Sequence, residues 1–481
     1  MSDPAVPASA EDLCFLPATD LAPLIRARKL SPVEVVRTIL ARIEACEPQV
    51  NAFSYIAAED ALAAARVAEA KVMAGEPLGR LHGVTVTIKD LAPVNGMPTQ
   101  RGSRIQHSLA PVTEDAPLVE RLKQAGAIVL GKTTTSEFGW SGVSNSPLTG
   151  ITHNPWQHGM NAGASSAGAG AAAAAGYGAL HQGSDGAGSI RMPSHFCGIY
   201  GLKPTFGRVP YAPPGNNDQM SHMGPMARTV GDAALMLAVM AGPHPGDYTS
   251  CEAPPPAYTS LLEAGSLAGK RIAFSLDLGH ARVDPEVAAL VREAAAVFAS
   301  DLGATIEETT PPWAAEGPEL IRFFWPAHMA GFARFLPDWE SRMDPGLVAC
   351  AKQGAPLTML QYQQFRERKI AWSCAISRWF EDWDFLLTPA VSVAAFPAER
   401  LMPADWPQHD WDWIQWAEFS YPFNASHNPA ASVPCGFTPA GLPVGLQIVG
   451  RRFDDLGVLQ ASRAFERARP WAHRRPALEY P

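Results

Sequence analysis

Long uncharged apolar runs are missing from this chain. The nearest approach, around Gly168 to Leu180, is alanine and glycine. That composition reads as a close-packed core helix, because small side chains let neighbouring backbones approach, and no segment is greasy enough to cross a bilayer. Positive charge is also scarce. The 481 residues carry a formal net charge of −9 with no basic run, which argues against a nucleic-acid surface, since binding phosphates needs a concentrated basic face. Cysteine is sparse and unpatterned: seven residues, an odd number, with no Cys-x-x-Cys pair. Reduced thiols packed as small hydrophobes are expected, Cys197 and Cys435 among them. The opening MSDPAVPASAEDL lacks the basic start and apolar block of a secretory leader, so the expected location is cytoplasmic. Missing too are a Gly-x-Ser-x-Gly elbow, a Ser-x-x-Lys pair, a His-Glu-x-x-His helix and any metal-spaced Cys or His cluster.

What is present suits a large α/β enzyme. With 47% hydrophobic and 18% charged residues the chain can bury a substantial core, and one large sheet accommodates this length without splitting. Ser31-Pro32-Val33-Glu34 has the capping-box pattern with proline at the first helical position. An alanine-rich helix follows from about Ala57 to Met73. The run from Gly83 to Leu91, GVTVTIKDL, alternates Val84, Val86 and Ile88 with threonines and ends on Lys89, so it reads as a strand with one apolar face. Taken alone, Lys89 fits a surface lysine or a partner of Asp90. Asp115 to Ala125 reads as a helix and Ala127 to Leu130 as a buried strand, together a crossover in a largely parallel sheet. Gly126 to Thr133 fits the phosphate-loop pattern letter for letter, but its middle residues are themselves the strand, which leaves no loop to cradle phosphate.

The stretch from Gly159 to Pro210 is the most unusual. It holds a serine pair, Ser165 and Ser166, among small residues, then an alanine-rich helix, then Gly183-Ser184-Asp185-Gly186-Ala187-Gly188-Ser189-Ile190-Arg191. A helix that starts just after a serine pair aims its free N–H groups at them, and Ser166 also fits an ordinary helix cap. A small-residue turn ahead of Ser189 lets backbone N–H groups converge on one point, as a developing oxyanion requires. Asp185 and Arg191 are expected to hold that turn. Pro204 to Pro214 and Gly224 to Met226 read as pocket-lining loops, with Met220, Met223 and Met226 as core filler nearby. Further on, aromatic residues become dense: Phe323, Phe324, Trp325, Trp339, Trp406, Trp411, Trp413 and Trp416. They suit an apolar or aromatic substrate, a lid, or a dimer contact.

These motifs, in this order and spacing, resemble the amidase signature family, whose members carry a lysine at the end of such a strand, a GGSSGG-like loop and a G-[ST]-D-x-G-G-S-I-R run. The likeness extends to Pro429–Gly450 and is faint only between about residues 245 and 380. The resemblance implies the amidase signature fold: one α/β domain over 1–481, a large mixed, mostly parallel twisted sheet with helices on both faces. Residues 245–400 then form an insertion or lid shaping the substrate pocket. It also implies a Ser-cisSer-Lys triad with Ser189 as nucleophile, Ser165 as the serine held by a cis peptide bond and Lys89 as base. Gly186, Ala187, Gly188 and Ser189 would form the oxyanion hole, supported by Ser166, Asp185 and Arg191. Ala164, Ala167 and Ala187 stand where the family usually has glycine, and Ala162 where proline is common, which bears on substrate range.

The implied reaction is hydrolysis of an amide C–N bond, extending to carbamates (urethanes) or esters, through an acyl-enzyme and without metal or cofactor. A lysine of ordinary pKa about 10.4 is no base near neutrality, and lowering it to about 7 costs about 4.6 kcal/mol, which burial can supply. His181 and His195 flank Ser189, but nothing supplies the rest of a Ser-His-Asp arrangement. The expected partner is a small-molecule amide or carbamate, with a homodimer by analogy. The alternative is the glutaminase subunit of a tRNA-dependent amidotransferase, which would need a polar glutamine pocket. A binding protein on this fold would show a damaged triad, and all three residues are intact.

Overall fold

The structure, a computed structural model, describes residues 5–105, 108 and 110–478. Residues 1–4 of the amino-terminal stretch read above lie outside the described residues. Eleven strands form one mixed sheet. Starting from one edge, they are Phe53–Ile56, Ile128–Thr133, Thr85–Lys89, Leu180–Asp185, His222–Ala227, Tyr200–Lys203, Ala430–Phe437, Pro443–Gly450, Phe385–Pro389, Arg271–Phe274 and Thr305–Glu308. The parallel pairings fall in two blocks, Ile128–Thr133 with Thr85–Lys89 with Leu180–Asp185, and Phe385–Pro389 with Arg271–Phe274 with Thr305–Glu308. The remaining pairings are antiparallel.

Strand alternation explains how the sheet is buried on both sides. Ile272 and Phe274 pack into one hydrophobic cluster and Ala273 into a second. Phe385 and Leu387 divide from Leu386, and Ile448 from Val449, in the same way. Helices cover the first cluster with aliphatic side chains, as in Pro32–Val50, whose Val36, Ile39 and Ile43 are buried. The second is aromatic, built around Trp140, Trp313, Trp325, Trp413, Trp416 and Phe423.

Local chemistry sets the element ends. The hydroxyl of Ser31 accepts the N–H groups of Val33 and Glu34 and starts the helix Pro32–Val50. Ala58–Ala74 follows, close to its expected bounds. The phosphate-like run forms the strand Ile128–Thr133 itself. At Gly131 an added Cβ would lie 2.2 Å from the Tyr55 carbonyl, so glycine here admits the neighbouring edge strand. Lys132 is buried, with Nζ 3.3 Å from Asp90 and donating to the Pro98 carbonyl at 3.2 Å. Both groups are therefore used up inside the protein. Gly224 to Met226, expected as a loop, belongs to the strand His222–Ala227, whose pairing with Leu180–Asp185 encloses it.

Candidate active site

Lys89 closes the strand Thr85–Lys89 on the same side as Thr85 and Thr87, the polar face of the alternation. It is fully buried. Its Nζ lies 2.7 Å from Ser165 Oγ, 2.9 Å from Ser166 Oγ and 3.0 Å from Ser184 Oγ. No carboxylate pairs with it among the described residues: Asp90 is paired with Lys132, and Asp185 with Arg191 at 2.8 Å. Burial drives the Lys89 ammonium well below the usual lysine range, against the opposing pull of Asp185. A lysine among hydroxyls with no counter-ion is the arrangement that yields a free amine.

The serines arrive on two separate loops. The peptide between Ala164 and Ser165 is cis. Ser166 is the residue before the helix Ala167–Ala175, all nine residues of which are buried, yet its side chain does not cap it. Its hydroxyl instead donates to the Ser184 carbonyl at 3.1 Å and accepts the Ser184 N–H at 3.2 Å, while touching Lys89. The helix-cap reading of Ser166 therefore gives way to a bridge between the two serine loops. The Ser166 N–H also donates to the Ser189 carbonyl at 3.3 Å. No hydrogen bond joins the Ser165 and Ser189 hydroxyls among the described residues.

The turn before Ser189 is held by a buried network. Asp185 receives Arg191 through both carboxylate oxygens, at 2.8 and 2.9 Å, and Asn424 Nδ2 at 2.9 Å. Burial alone would raise the Asp185 carboxyl, but the Arg191 guanidinium outweighs it and holds the group below the usual carboxylate range. Asp185 also accepts the N–H groups of Gly188 at 2.6 Å and Ile190 at 3.2 Å. The Gly188 N–H is thereby engaged, which narrows the expected oxyanion donors to Gly186, Ala187 and Ser189. Arg191 reaches on to the Ser420 carbonyl and to Gln447 Oε1, at 2.9 and 2.8 Å.

Several residues of the site give no sign of it in sequence. Ser184 touches Lys89, yet it stands in its motif as one more small residue. Asn424, Gln447 and Ser420 carry no signal, since more than 200 positions separate them from Asp185 and Arg191. His181 and His195 are structural. His181 bonds Thr87 at 2.9 Å; His195 bonds the Val393 carbonyl at 3.0 Å and accepts the Gly445 N–H at 2.9 Å. Burial lowers both imidazoles to about 4, so they are neutral.

A cavity of about 450 Å3 opens on this site, with Ser165, Ser184 and Gly186 in its floor and Phe138, Trp325, Phe332 and Phe335 in its walls. Ser189 lies beside it, 5% exposed, and is not itself a lining residue. At Gly139 an added Cβ would stand 3.1 Å from Ser165 Oγ, so glycine keeps the approach to that hydroxyl open. Of the aromatic residues singled out in sequence, Trp325 alone reaches the cavity; Trp406, Trp411, Trp413 and Trp416 are buried in the aromatic core. Phe138, Phe332, Phe335 and Tyr211 add further aromatic rings to the cavity lining, with the His328 imidazole. Ala164, Ala167 and Ala187 are buried and do not line the cavity, so their methyl groups pack against protein. No cluster of three or more metal-binding side chains occurs among the described residues, and no helix there is long and apolar enough to cross a membrane.

Known proteins resemble this chain along nearly its whole length. The model of the family described as Amidase matches residues 34–459. An acylamidase of Rhodococcus erythropolis is 40% identical over 97% of this chain and 98% of its own. A glutamyl-tRNA(Gln) amidotransferase subunit of Chloroflexus aggregans is 34% identical over 97% of this chain and 99% of its own. Among solved structures, a bacterial aryl acylamidase of the amidase signature family superimposes with a TM-score of 0.88 at 29% identity, covering 95% of this chain and 97% of that one.

Proposed function

Since this chain belongs to the amidase signature family and is an amidase, we propose that it cleaves amide C–N bonds through an acyl-enzyme on Ser189, with Lys89 and Ser165 relaying the proton. The observation that carries this reading is the buried Lys89 Nζ, 2.7 Å from Ser165 Oγ and without a counter-ion. In the proposed sequence the neutral Lys89 amine takes the Ser165 proton as Ser165 takes that of Ser189. The Ser189 oxygen attacks the carbonyl, and the oxyanion faces the backbone N–H groups of Gly186, Ala187 and Ser189. Collapse breaks the C–N bond, the relay returns the proton to the leaving nitrogen, and water then attacks the acyl-serine by the same route. Ser166 and Ser184 orient the amine. Carbamates and esters pass through a comparable tetrahedral intermediate and fall within the same reading.

The aromatic walls support an acyl or aryl substrate with a substantial apolar part. Trp325, Phe332 and Phe335 come from residues 245–400, which supports the reading that this region shapes the pocket. The likeness to an amidotransferase component keeps a second reading, release of ammonia from glutamine for a partner. The test is amine release by the purified chain alone from anilides, an aryl carbamate and glutamine. Turnover of anilide or carbamate, reduced roughly 10^6-fold by Ser189→Ala, is expected. Activity on glutamine alone, or only with an added partner, would establish the second reading.

A further inference from the structure

Two arginines, Arg101 and Arg334, stand in the walls of the active-site cavity, and among the described residues no aspartate or glutamate lines it. In a chain of formal net charge −9 this reverses the sign locally. Neither guanidinium is neutralised by the protein: among the described residues neither has an ion pair or a side-chain hydrogen bond. Other arginines do pair, Arg282 with Asp405, Arg292 with Glu308 and Arg463 with Glu263. Arg334 lies over the Phe335 ring at 4.8 Å.

Arg101 is held in place by its backbone. That backbone sits at φ 56 and that of Phe138 at φ 51, a region costly to residues with a Cβ and found where the surroundings impose it. The Arg101 carbonyl accepts the Phe138 N–H at 2.8 Å. The Phe138 ring in turn stacks on Phe332 at 4.6 Å and on Phe335 at 6.3 Å. The Arg334 guanidinium and the Arg101 backbone thus adjoin one aromatic platform.

We propose that this platform is an anion subsite, and that the amides taken by the site carry a carboxylate joined to the scissile bond by an apolar or aromatic stretch. The proposal rests on the amidase reading above. An arginine fork matches a carboxylate through two parallel hydrogen bonds, and low-dielectric walls focus the field of the two cations on a ligand between them and the floor. The rings hold the apolar stretch, and the serine floor meets the carbonyl. Arginines that were merely solvated would give no discrimination by charge.

The test uses matched pairs of anilides, neutral and carboxylate-bearing. One pair places the carboxylate on the aniline ring and the other at the far end of the acyl chain. The quantity read is the ratio of kcat/KM, charged over neutral, in the parent enzyme, R101Q/R334Q and R101K/R334K. The expected ratio in the parent is roughly 10 to 100 for at least one pair, falling toward 1 in the glutamine variant and partly retained in the lysine variant. A ratio of 1 or less for both pairs, or one that survives the glutamine substitutions, overturns the proposal. Calorimetric binding of the same compounds to Ser189→Ala gives the same ratio without turnover. Absence of cleavage would therefore count against the amidase reading, while the charge preference is still measured.

Discussion

At the scale of single residues, the chemistry turns on the protonation of Lys89. Burial lowers its ammonium well below the lysine range, so the free base is present above that lowered value and is lost as pH falls through it. Activity is therefore expected to rise with pH along a single basic limb well below the ordinary lysine value of about 10.4, measured as kcat/KM on an anilide. Lys89→Ala should abolish this limb and recover only slightly at high pH; near-parent rates there would mean Lys89 is not the base. Asp185 acts one step away. Because it accepts the Gly188 and Ile190 N–H groups and two bonds from Arg191, Asp185→Asn loses acceptor capacity in the turn that aims the oxyanion donors. A fall of roughly 10^2- to 10^3-fold in kcat, with KM little changed, is expected. The proposed triad residues are legible in sequence because each stands in a local motif. Ser184, Asn424 and Gln447 are not, because their parts depend on contacts that only the folded chain creates.

At the scale of elements, the strand Ile128–Thr133 shows how a pattern and a structure diverge. Its glycine and lysine match a phosphate loop, yet both serve packing: Gly131 admits the edge strand and Lys132 pairs with buried Asp90. Removing one partner of a buried pair leaves an uncompensated charge, so Lys132→Met should destabilise by about 3–5 kcal/mol in chemical denaturation. A nucleoside triphosphate with magnesium should leave the melting temperature of the parent unchanged; a clear rise would contradict the strand reading. Alternation of valine and isoleucine with threonine makes the Lys89 strand legible. The strand His222–Ala227 is hidden by Gly224 and Pro225, residues that usually interrupt strands. Here Gly224 is required, since an added Cβ would lie 2.1 Å from the Leu202 carbonyl.

At the scale of the whole molecule, the site is assembled from distant parts that share one sheet. The region of faint family likeness contributes Arg271–Phe274 and Thr305–Glu308 to that sheet, with Phe385–Pro389 just beyond it, and Trp325, Phe332 and Phe335 to the cavity. Its aromatic density is plain in sequence. Which rings face the cavity and which the core depends on packing between elements, and no local pattern carries it. His195 ties the helix Arg191–Cys197 to Val393 and Gly445. It and His181 titrate at about 4 in the fold and near 6.5 when unfolded. Because the unfolded chain binds more protons in that window, stability is full above about pH 6.5 and is lost as pH falls through about 4. Melting temperature should decline over this range, less steeply in His195→Gln, which should also be less stable at neutral pH. A decline unaltered in the variant would assign the loss to other groups.

That Ser189 is the nucleophile can be tested by trapping the acyl-enzyme with a slowly released aryl carbamate and locating the adduct by fragmentation mass spectrometry. The tryptic peptide from Thr133 to Arg191 contains Ser165, Ser166, Ser184 and Ser189, so one spectrum compares all four. The carbamoyl group is expected on Ser189 and absent from Ser189→Ala. An adduct on Ser165, Ser166 or Ser184 in the parent enzyme would contradict the assignment.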